Sequence, residues 1–570
     1  MLRPQHNGIR NVYDLSGIWE LEVKGRKRPI TVPASWNEQY QDLCYEEGPV
    51  VYKKFFYVPA DFRGKKIRIY FGAVNTDCIV YVNGNKVAEN HIGYLPFEAD
   101  ITDFTRFGEE NILEVKVENH LKTGSFPAGK TPPKDLLIGS PDSFPATNFD
   151  FFPYGGIIRN VNLEVCNLEK ITDVSVDTST SKPEKRLGIV KLNVKVSESS
   201  IGKILEIELA SKKKEIEIVK DSIDTEFKIE NVRFWRLNAP YLYKLKLKIK
   251  DSEKLLDYYE LKIGIRTIEW DEKKLYLNKE PIFLKGFGKH EEFPILGQGT
   301  FYPMMIKDFS LLKWIGANSF RTSHYPYSEE WLDLADELGI LVIDEAPHVG
   351  VTRYHYNPET EKLAVDNVKR MIERDKNHPS VIMWSVANEP ESNHPDAESF
   401  FKALYETAKQ LDKTRPITLV SCLDQPDART RDVALKYFDI VSINRYYGWY
   451  IFQGRIDEGL KALDKDVEEL YQRHKKPVVV TEFGADAISG YHYDPPQMFS
   501  EEYQAELVEK TIKLLREKDF IVGIHVWAFA DFKTPQNIRR PIYNHKGVFT
   551  RTREPKLTAH VLRKFWNNAF

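Results

Sequence analysis

The sequence predicts a multi-domain fold: an N-terminal jelly-roll-like β-sandwich, an immunoglobulin-like β-sandwich and a C-terminal (β/α)8 TIM barrel. Before about Gly264, short runs of Val, Ile, Tyr and Phe are separated by turn residues, which is typical of strands. After Gly264, apolar runs alternate with amphipathic helical stretches, which indicates strand–helix units. The 570 residues correspond to about three domains if one is a large barrel, and we place these domains at 1–168, 169–266 and 267–570.

The first predicted domain, residues 1–168, contains many aromatic, proline and glycine residues, which suits an irregular β-sandwich. Its clearest local signal is Asn83-Gly84, which separates two apolar runs between Ile79 and Val87. Asn-Gly favours the two-residue turn that joins antiparallel strands. We therefore expect a β-hairpin at this position.

The second predicted domain, residues 169–266, shows strict alternation of apolar and polar residues. The run from Val190 to Val196 alternates in this way, and so does the run from Tyr243 to Ile249. Such alternation indicates strands with one buried and one solvated face. We interpret the Lys and Glu residues as the solvated faces. About 95 residues of this kind suit a small immunoglobulin-like sandwich.

Eight apolar runs within residues 267–570 are candidate barrel strands. Eight strand–helix units in about 300 residues match a (β/α)8 barrel. A doubly wound sheet would also alternate, but no GxGxxG or GxxxxGK[ST] follows a strand, so no nucleotide cofactor is expected. Helix candidates include Ser328–Leu338, Lys362–Lys376 and Glu501–Lys518. The strand candidates are Phe283–Phe287, Ala317–Ser323, Ile340–Glu345, Ser380–Glu389, Ile417–Cys422, Asp439–Tyr446, Val478–Gly484 and Gly523–Phe529.

Charge and cysteine content exclude several classes of function. The 81 Lys+Arg against 84 Asp+Glu give a net charge of −3, which disfavours a nucleic-acid partner. The N-terminus lacks an apolar signal segment and no apolar run is long enough to span a membrane, so we expect a cytoplasmic protein without a membrane partner. No CxxC pair suggests a zinc or redox motif among the four cysteines, Cys44, Cys78, Cys166 and Cys422.

Polar residues at the carboxyl ends of the predicted barrel strands mark the expected active site. Glu389 follows the fourth strand in Asn388-Glu389-Pro390, and Glu482 ends the seventh in Thr481-Glu482-Phe483-Gly484. Either carboxylate alone could be a surface charge, but two behind apolar strands favour catalysis. Glycoside hydrolysis needs such a pair, since one carboxyl protonates the leaving oxygen while the other attacks or activates water.

Five further segments accompany the two carboxylates, and the whole set in this order is specific. They are Asp150–Gly156, Arg321–Pro326, Asp375–Ser380, Asn444–Tyr450 and Trp527–Phe532. With these motifs the chain resembles family 2 glycoside hydrolases from about Leu15 to Phe565, and most of all the members that hydrolyse β-D-glucuronides. The predicted order of the three domains, with a sugar-binding first domain, agrees with this resemblance.

The resemblance implies a role for each motif residue. Glu389 would be the general acid/base and Glu482 the nucleophile of a retaining mechanism through a covalent glycosyl-enzyme. Asn388 would bind the sugar 2-hydroxyl, and retention predicts about 5–5.5 Å between the two carboxyl groups. The other implied sugar contacts are Asp150 from the first domain and His324, Asn444, Tyr446, Tyr450 and Trp527.

The segment Asn544-His545-Lys546 indicates which sugar is bound. It resembles the Asn-x-Lys motif with which members of the family hold the C6 carboxylate of a glucuronide, and Arg540 resembles another contact to that group. Amide, ammonium and guanidinium groups all donate to a carboxylate. We expect that a neutral sugar would leave Lys546 unpaired in a partly buried site. The prediction is exo-hydrolysis of β-D-glucuronides.

Two alternatives stay open. One is a related family 2 hydrolase that acts on β-galacturonides or β-galactosides, because Asn544 and Lys546 do not report the configuration at C4. The other is a carbohydrate-binding protein with an inactive site, which the presence of both carboxylates disfavours. We expect no cofactor and no metal, since His290 and His324 belong to no HExxH motif. The expected partners are a small-molecule or oligosaccharide β-glucuronide and further copies of the chain in a dimer or tetramer.

Overall fold

A computed structural model describes residues 1–129, 143–182, 186–423 and 431–568. Two antiparallel sandwiches precede a closed eight-stranded barrel, so the predicted fold class is confirmed. No helix in these four ranges is both long and apolar enough to cross a membrane.

The first region is a β-sandwich with one apolar core. Its strands are β1 (Asn11–Asp14), β2 (Gly17–Val23), β3 (Arg26–Val32), β4 (Val50–Val58), β5 (Lys66–Phe71), β6 (Val74–Asn75), β7 (Asp77–Val82), β8 (Asn85–Asn90), β9 (Phe97–Asp100), β10 (Glu109–Glu118), β11 (Gly156–Ile157) and β12 (Val161–Cys166). A six-stranded sheet, β3-β2-β4-β10-β7-β8, packs on a four-stranded sheet, β1-β12-β5-β9. The predicted hairpin is confirmed, because Asn83 and Gly84 join β7 to β8 with positive φ at both residues.

The second region is a smaller sandwich of immunoglobulin-like character. Its strands are β13 (Ile171–Lys182), β14 (Leu187–Val196), β15 (Ile204–Leu209), β16 (Lys212–Glu217), β17 (Ser222–Ile229), β18 (Tyr243–Asp251) and β19 (Lys254–Ile263). The sheets β13-β14-β17 and β16-β15-β18-β19 enclose a core to which the alternating residues Val190 and Leu247 contribute. The proposed boundaries, after residues 168 and 266, fall in the connections that lead into and out of this region.

A short sheet, β20 (Ile268–Trp270), β21 (Leu275–Leu277) and β22 (Glu280–Ile282), leads into the barrel. The barrel strands pair in parallel and in chain order, so their carboxyl ends meet at one rim. They are β23 (Leu284–Lys289), β24 (Ser319–Thr322), β25 (Leu341–Glu345), β26 (Val381–Asn388), β27 (Ile417–Ser421), β28 (Ile440–Asn444), β29 (Val478–Glu482) and β30 (Ile521–Trp527).

The helices of the described residues surround the barrel, apart from one short turn in the first region. They are α1 (Trp36–Gln39), α2 (Tyr302–Ile315), α3 (Glu329–Leu338), α4 (Pro358–Asp375), α5 (Ala397–Leu411), α6 (Ile456–His474), α7 (Glu501–Arg516) and α8 (Leu557–Asn568). A last hairpin, β31 (Phe532–Lys533) and β32 (Tyr543–Asn544), follows β30. Short 3-10 turns span Gln41–Leu43, Ala60–Phe62, Thr102–Phe104, Glu198–Ser200 and Arg353–His355.

All eight predicted barrel strands are present, with ends that shift by up to two residues. The largest difference concerns α4, which begins at Pro358 and not at the predicted Lys362. Asn357 caps this helix, because its side chain accepts a hydrogen bond from the Thr360 N–H, and Pro358 suits the first helical position. The charged first turn of α4 has no apolar periodicity, which is why periodicity alone missed it.

The first region contacts the barrel rim through residues 147–159. Arg159 is buried and donates to Glu291, 3.0 Å away, and to the Pro326 carbonyl. The Asn148 amide donates to the Gly350 carbonyl at 2.7 Å, and the Phe152 N–H donates to the Lys533 carbonyl at 2.9 Å. These bonds fix the segment that carries Asp150 over the barrel.

A buried ion pair joins α3 to the loop before β26 and makes stability depend on pH. His378 Nδ1 lies 2.6 Å from Asp336 Oδ2, and the Ser380 N–H donates to Asp336 Oδ1. Burial opposes the charge on His378, but the Asp336 carboxylate outweighs burial and raises the pKa of His378 to about 9. Relative to an unfolded value near 6.5, this corresponds to roughly 3 kcal/mol of stability at low pH.

We expect this stability to be present below about pH 6.5 and to be lost as the pH rises through about 9. The His378→Gln variant should therefore show a lower Tm than the wild type at pH 6, and the difference should shrink at pH 9.5. Thermal unfolding of both proteins across this range is the measurement. His492→Gln, which removes an exposed His–Glu pair, is the control and should change Tm little at either pH. A difference that stays constant with pH would contradict the prediction.

Candidate active site

The carboxyl ends of β26, β28 and β29 bring Glu389 and Glu482 to one site at the barrel rim. Glu389 is the first residue beyond β26, with a left-handed φ of 49°, and Glu482 is the last residue of β29. Asn444, the last residue of β28, donates to Glu389 Oε1 at 2.7 Å. Two residues further on, the Tyr446 hydroxyl donates to Glu482 Oε2 at 2.6 Å. One short segment after β28 therefore contacts both carboxylates.

Glu482 is buried, and both of its oxygens accept hydrogen bonds. Arg321 Nη2 donates to Oε1 and Tyr446 to Oε2, while His324 Nε2 lies 3.7 Å from Oε1. Burial and the charge of Glu482 raise the pKa of Tyr446 well above its usual value, so the phenol stays a neutral donor. Glu482 is thus held at one oxygen by a guanidinium and at the other by a phenol.

Asn388 links the two carboxylates through the Arg321 and Asn444 side chains. Its Oδ1 accepts from Arg321 Nη1 at 3.2 Å and from Asn444 Nδ2 at 3.1 Å. Thr481 completes the chain of contacts by donating to Asn444 Oδ1 at 2.9 Å. Because the Asn388 oxygen accepts both bonds, its NH2 group is the part that can donate to a ligand hydroxyl.

Arg321 and Glu345 are two site residues that the sequence did not single out as functional. Glu345 ends β25 and is fully buried, with both oxygens 2.8 Å from Arg321 Nη1. It also accepts from Ser385 at 2.7 Å and lies 2.8 Å from His324 Nδ1. Burial opposes its ionisation, but the Arg321 charge and the hydrogen bonds lower the pKa of Glu345 to about 2.

Glu345 is a third carboxylate at a strand end, and its position in the sequence is no different in kind from those of Glu389 and Glu482. Its two oxygens are bound by Arg321 and it has no exposure, which fits an anchoring role. Its strand-end position was the available signal. The sequence could not tell that this carboxylate anchors Arg321.

Aromatic rings form another wall of the cavity. His324 stacks on Trp527, with ring centroids 5.0 Å apart and an interplanar angle of 20°. His290 packs edge-on against Trp527 at 5.4 Å, and its Nδ1 lies 3.2 Å from the Tyr325 hydroxyl. Both histidines therefore pack against aromatic side chains. The predicted contacts His324 and Trp527 lie together, with His324 beside Glu345 and Glu482.

A cluster of charged residues adjoins the carboxylate pair. Lys546 is 1% exposed, and its Nζ donates to Asp486 and, at 3.0 Å, to the Tyr450 hydroxyl. The ammonium lies 5.7, 5.2 and 4.8 Å from the ring centroids of Tyr446, Trp449 and Tyr450. Tyr446 therefore contacts Glu482 through its hydroxyl and Lys546 through its ring.

Asp150 crosses from the first region to this cluster. Arg540 donates to Asp150 Oδ2 from Nε at 2.8 Å and from Nη2 at 2.6 Å, and Asn544 Nδ2 donates to the same oxygen at 2.9 Å. Arg540 also donates to the Tyr450 hydroxyl at 2.6 Å and to Asp486 at 3.4 Å. The predicted residues Asp150, Tyr450, Arg540, Asn544 and Lys546 thus form one connected group.

The expectation that Lys546 stays unpaired without an acidic sugar is wrong. Asp486 pairs with it within the chain, and Asp150 pairs with Arg540. Asp486 lies four residues beyond Glu482, in the loop after β29, and the sequence offered no signal beyond this position at a barrel rim. A buried ammonium needs a counter-ion whether or not a ligand is bound.

Comparison of the chain with known protein families shows which family it belongs to. Three family descriptions match: "Glycosyl hydrolases family 2, sugar binding domain" over residues 10–166, "Glycosyl hydrolases family 2" over 161–266 and "Glycosyl hydrolases family 2, TIM barrel domain" over 268–569. The chain belongs to glycosyl hydrolases family 2. The resemblance seen in the sequence is therefore confirmed.

Individual family 2 members are similar over the whole chain. A β-glucuronidase of Paenibacillus borealis is 39% identical, with 99% of this chain and 98% of the relative covered. A β-glucuronidase of Mus musculus is 35% identical, with 100% and 93% covered. The structure of a β-D-glucuronidase of Dictyoglomus thermophilum superimposes with a TM-score of 0.91 at 40% identity, covering 100% and 99% of the two chains. The structure of a Bifidobacterium dentium β-glucuronidase complexed with coumarin-3-O-glucuronide superimposes with a TM-score of 0.94 at 34% identity, covering 100% of this chain and 98% of that chain.

Replacing Glu345 by Gln should remove the anchor of Arg321 and change stability in a pH-dependent way. A pKa of about 2, against about 4.5 for an unfolded Glu, corresponds to roughly 3 kcal/mol of folding stability. This stability is present above about pH 5 and is lost as the pH falls towards 2. We expect Glu345→Gln to lower Tm at pH 7 and to differ much less from the wild type at pH 3. Hydrolytic activity at pH 7 should fall about 10- to 100-fold because Arg321 shifts away from Glu482.

Thermal unfolding at the two pH values and kinetics at pH 7 measure these effects. Glu398→Gln, which removes an exposed carboxylate paired with Lys436, is the control and should leave both quantities nearly unchanged. An equal loss of Tm at pH 3 and pH 7 would argue that the carboxylate charge is not what stabilises this part of the site.

Proposed function

We propose that the protein is a retaining exo-β-glucuronidase that hydrolyses β-D-glucuronides by double displacement. One observation carries the proposal: Tyr446 contacts the strand-end carboxylate Glu482 and the buried Lys546 ammonium together. A carboxylate pair for glycosidic cleavage and a group of donors for an acidic sugar thus adjoin in one cavity. The β-glucuronidase names of the full-length relatives support the same activity.

In the first step, Glu482 attacks the anomeric carbon while Glu389 protonates the departing oxygen. Arg321 and Tyr446 orient Glu482 through both of its oxygens, so little reorganisation is needed at the moment of attack. The product is a covalent glycosyl-enzyme, and the aglycone leaves with the proton of Glu389.

In the second step, Glu389 removes a proton from water, which attacks the same carbon and releases Glu482. Asn444 holds Glu389 at 2.7 Å through a neutral amide, so the carboxyl can carry or lose its proton without losing its position. Asn388 is placed to donate its NH2 group to the sugar 2-hydroxyl, a contact that strengthens in the transition state.

Donors around the charged cluster would bind the C6 carboxylate. Lys546, Arg540 and Asn544 supply an ammonium, a guanidinium and an amide, which are charge-assisted or neutral donors to a carboxylate. Tyr450 contacts both cations and is 40% exposed, so it lies at the edge of this group. Arg540 forms an ion pair with Asp150, and a uronate would share or replace that contact.

We also propose that the chain forms a dimer or tetramer in the cytoplasm. The four cysteines, all within the described residues, are free thiols, which supports a reducing compartment. Light scattering after size-exclusion chromatography reports the oligomeric state.

A panel of 4-nitrophenyl β-glycosides tests the substrate. We expect hydrolysis of the β-D-glucuronide and much weaker hydrolysis of the β-D-galacturonide, β-D-glucoside and β-D-galactoside. Preferential hydrolysis of the galacturonide or galactoside would replace the proposal by the alternative family 2 activity. Binding of glucuronate without any turnover would indicate a carbohydrate-binding protein.

Replacing each carboxylate should separate the two catalytic roles. Glu482→Gln should lower kcat by about 10⁴-fold or more, because the nucleophile is lost. Glu389→Ala should lower kcat/KM about 10²- to 10⁴-fold for poor leaving groups and less for 4-nitrophenol, which needs little protonation. Azide should rescue Glu389→Ala, because a small anion attacks the glycosyl-enzyme without a general base, and the product should be the β-glycosyl azide.

Proton NMR of the wild-type reaction should show the β-anomer of glucuronate first, as retention requires. Glu391→Gln, two residues from Glu389 and bound by Arg353, is the matched control and should keep most of the activity. An α-anomer as first product, or azide rescue of Glu482→Gln to a β-azide, would overturn the assignment of roles.

Lys546→Ala should lower kcat/KM for the glucuronide about 10- to 100-fold, since one charge-assisted hydrogen bond to the C6 carboxylate is lost. Weak activity on the neutral glucoside should change far less. Lys556→Ala is the matched control, because Lys556 is an equally buried lysine that pairs with Asp531. It should lower Tm and leave the glucuronide-to-glucoside ratio unchanged. Unchanged glucuronide kinetics in Lys546→Ala would remove the assignment of the sugar.

A further inference from the structure

Asp486 is a buried carboxylate next to the proposed uronate-binding group. It is 2% exposed and lies in the loop after β29, four residues beyond Glu482. Its Oδ2 accepts from Lys546 Nζ and, at 3.4 Å, from Arg540 Nη1. Its Oδ1 accepts from the His545 backbone N–H at 2.9 Å. The carboxylate therefore binds both cations and the backbone that carries one of them.

The charges of this group balance without a ligand. Lys546 and Arg540 contribute two positive charges, and Asp486 and Asp150 contribute two negative charges. The two carboxylates differ in exposure, since the Asp150 side chain is 44% exposed and that of Asp486 is 2% exposed. Asp150 can therefore be solvated when a ligand displaces it, whereas Asp486 stays with the cations.

The contacts of Lys546 show what Asp486 does to it. The ammonium lies between the buried Asp486 carboxylate and the partly exposed Tyr450 hydroxyl, with rings of Tyr446 and Trp449 beside it. The Lys546 backbone N–H donates to Asn544 Oδ1 at 3.0 Å, which directs the Asn544 NH2 group towards Asp150. A buried lysine without a counter-ion loses its proton readily. Asp486 provides that counter-ion on the buried side.

We propose that Asp486 is the positioning residue of the uronate-binding group: it keeps Lys546 charged and oriented towards the C6 carboxylate of the substrate, and so sets the preference for uronates over neutral glycosides. This inference rests on the proposed function. The ion pair also holds Asp486 ionised, because Lys546 and Arg540 outweigh the effect of burial and lower its pKa.

The neighbouring charged and titratable groups come from several elements. A second buried ion pair, Lys556 with Asp531, lies near the first: Lys556 Nζ donates to Asp531 Oδ1 at 2.8 Å. His545 Nδ1 lies 3.6 Å from Asp531. The titratable groups that contact Asp486 or its two cations are Asp150, Tyr446 and Tyr450, and the backbone N–H of His545 donates to Asp486.

The Asp486→Asn substitution keeps the shape of the side chain and removes its charge. Lys546 would then be buried beside Arg540 with no buried counter-ion, so its ammonium form would be less favoured. The loss of uronate binding in the variant should therefore be larger at pH 8.5 than at pH 6.

We therefore compare how much KM for 4-nitrophenyl β-D-glucuronide rises when the pH is raised from 6 to 8.5. This rise should be at least tenfold larger in Asp486→Asn than in the wild type. The kcat ratio of the two proteins should vary less, because Glu389 and Glu482 are untouched. The inhibition constant of free glucuronate should follow KM, whereas weak turnover of 4-nitrophenyl β-D-glucoside should not. Asp486→Glu should restore most of the wild-type pH profile, since it restores the charge.

Asp531→Asn is the matched control, because it removes the charge of a buried Asp–Lys pair that does not include Lys546. It should lower Tm and leave the pH dependence of KM as in the wild type. A KM in Asp486→Asn that is unchanged or lower at both pH values would overturn the inference. An equal loss of activity on the glucuronide and the glucoside, together with a lowered Tm, would also overturn it, because that result indicates a structural role only.

The wild-type measurements separate this inference from the proposed function. If the wild type does not hydrolyse the glucuronide, the proposed function fails. If it does and the variant keeps the wild-type pH profile, only the role of Asp486 fails.

Discussion

The geometry of the candidate active site depends on one buried guanidinium. Arg321, at the end of β24, has no exposure and donates to Glu345, Glu482 and Asn388. These three partners come from β25, β29 and β26, so the arginine joins four strand ends at the barrel rim. A charge buried this deeply is tolerated only with full compensation. Two carboxylates provide it: Glu345, which also accepts from Ser385, and Glu482, which also accepts from Tyr446.

Compensation of the same kind recurs where the sugar carboxylate is expected to bind. Lys546 forms an ion pair with Asp486, and Arg540 forms one with Asp150, so each cation has a carboxylate partner within the chain. Such pre-formed pairs keep long side chains ordered, which reduces the entropy lost on binding. Because one of the two carboxylates is partly exposed and comes from the first region, the sandwich contributes to the site directly.

Sequence reasoning found most of the side chains that meet at this cavity, because barrel geometry turns strand ends into neighbours. Glu389 and Glu482 were identified in this way, the family resemblance added Asn444 and Tyr446, and each of these two contacts one of the carboxylates. Glu345 was passed over because nothing in the chain distinguishes an anchoring carboxylate from a reacting one. Asp486 was passed over because its importance follows from contacts with Lys546 and Arg540, which lie 60 and 54 residues away.

The sequence alone predicted the fold class, since periodicity and turn residues are local properties of the chain, and the resemblance of its motifs indicated the family. The resemblance of Asn544 and Lys546 to a motif of that family also led to the hypothesis of an acidic sugar. Only the tertiary structure decided which carboxylates are saturated, that Asp150 reaches Arg540 from another region, and that Lys546 is already paired. The physical reason is that the charge of a buried ion is compensated by whichever groups the fold places beside it, however distant those groups are along the chain.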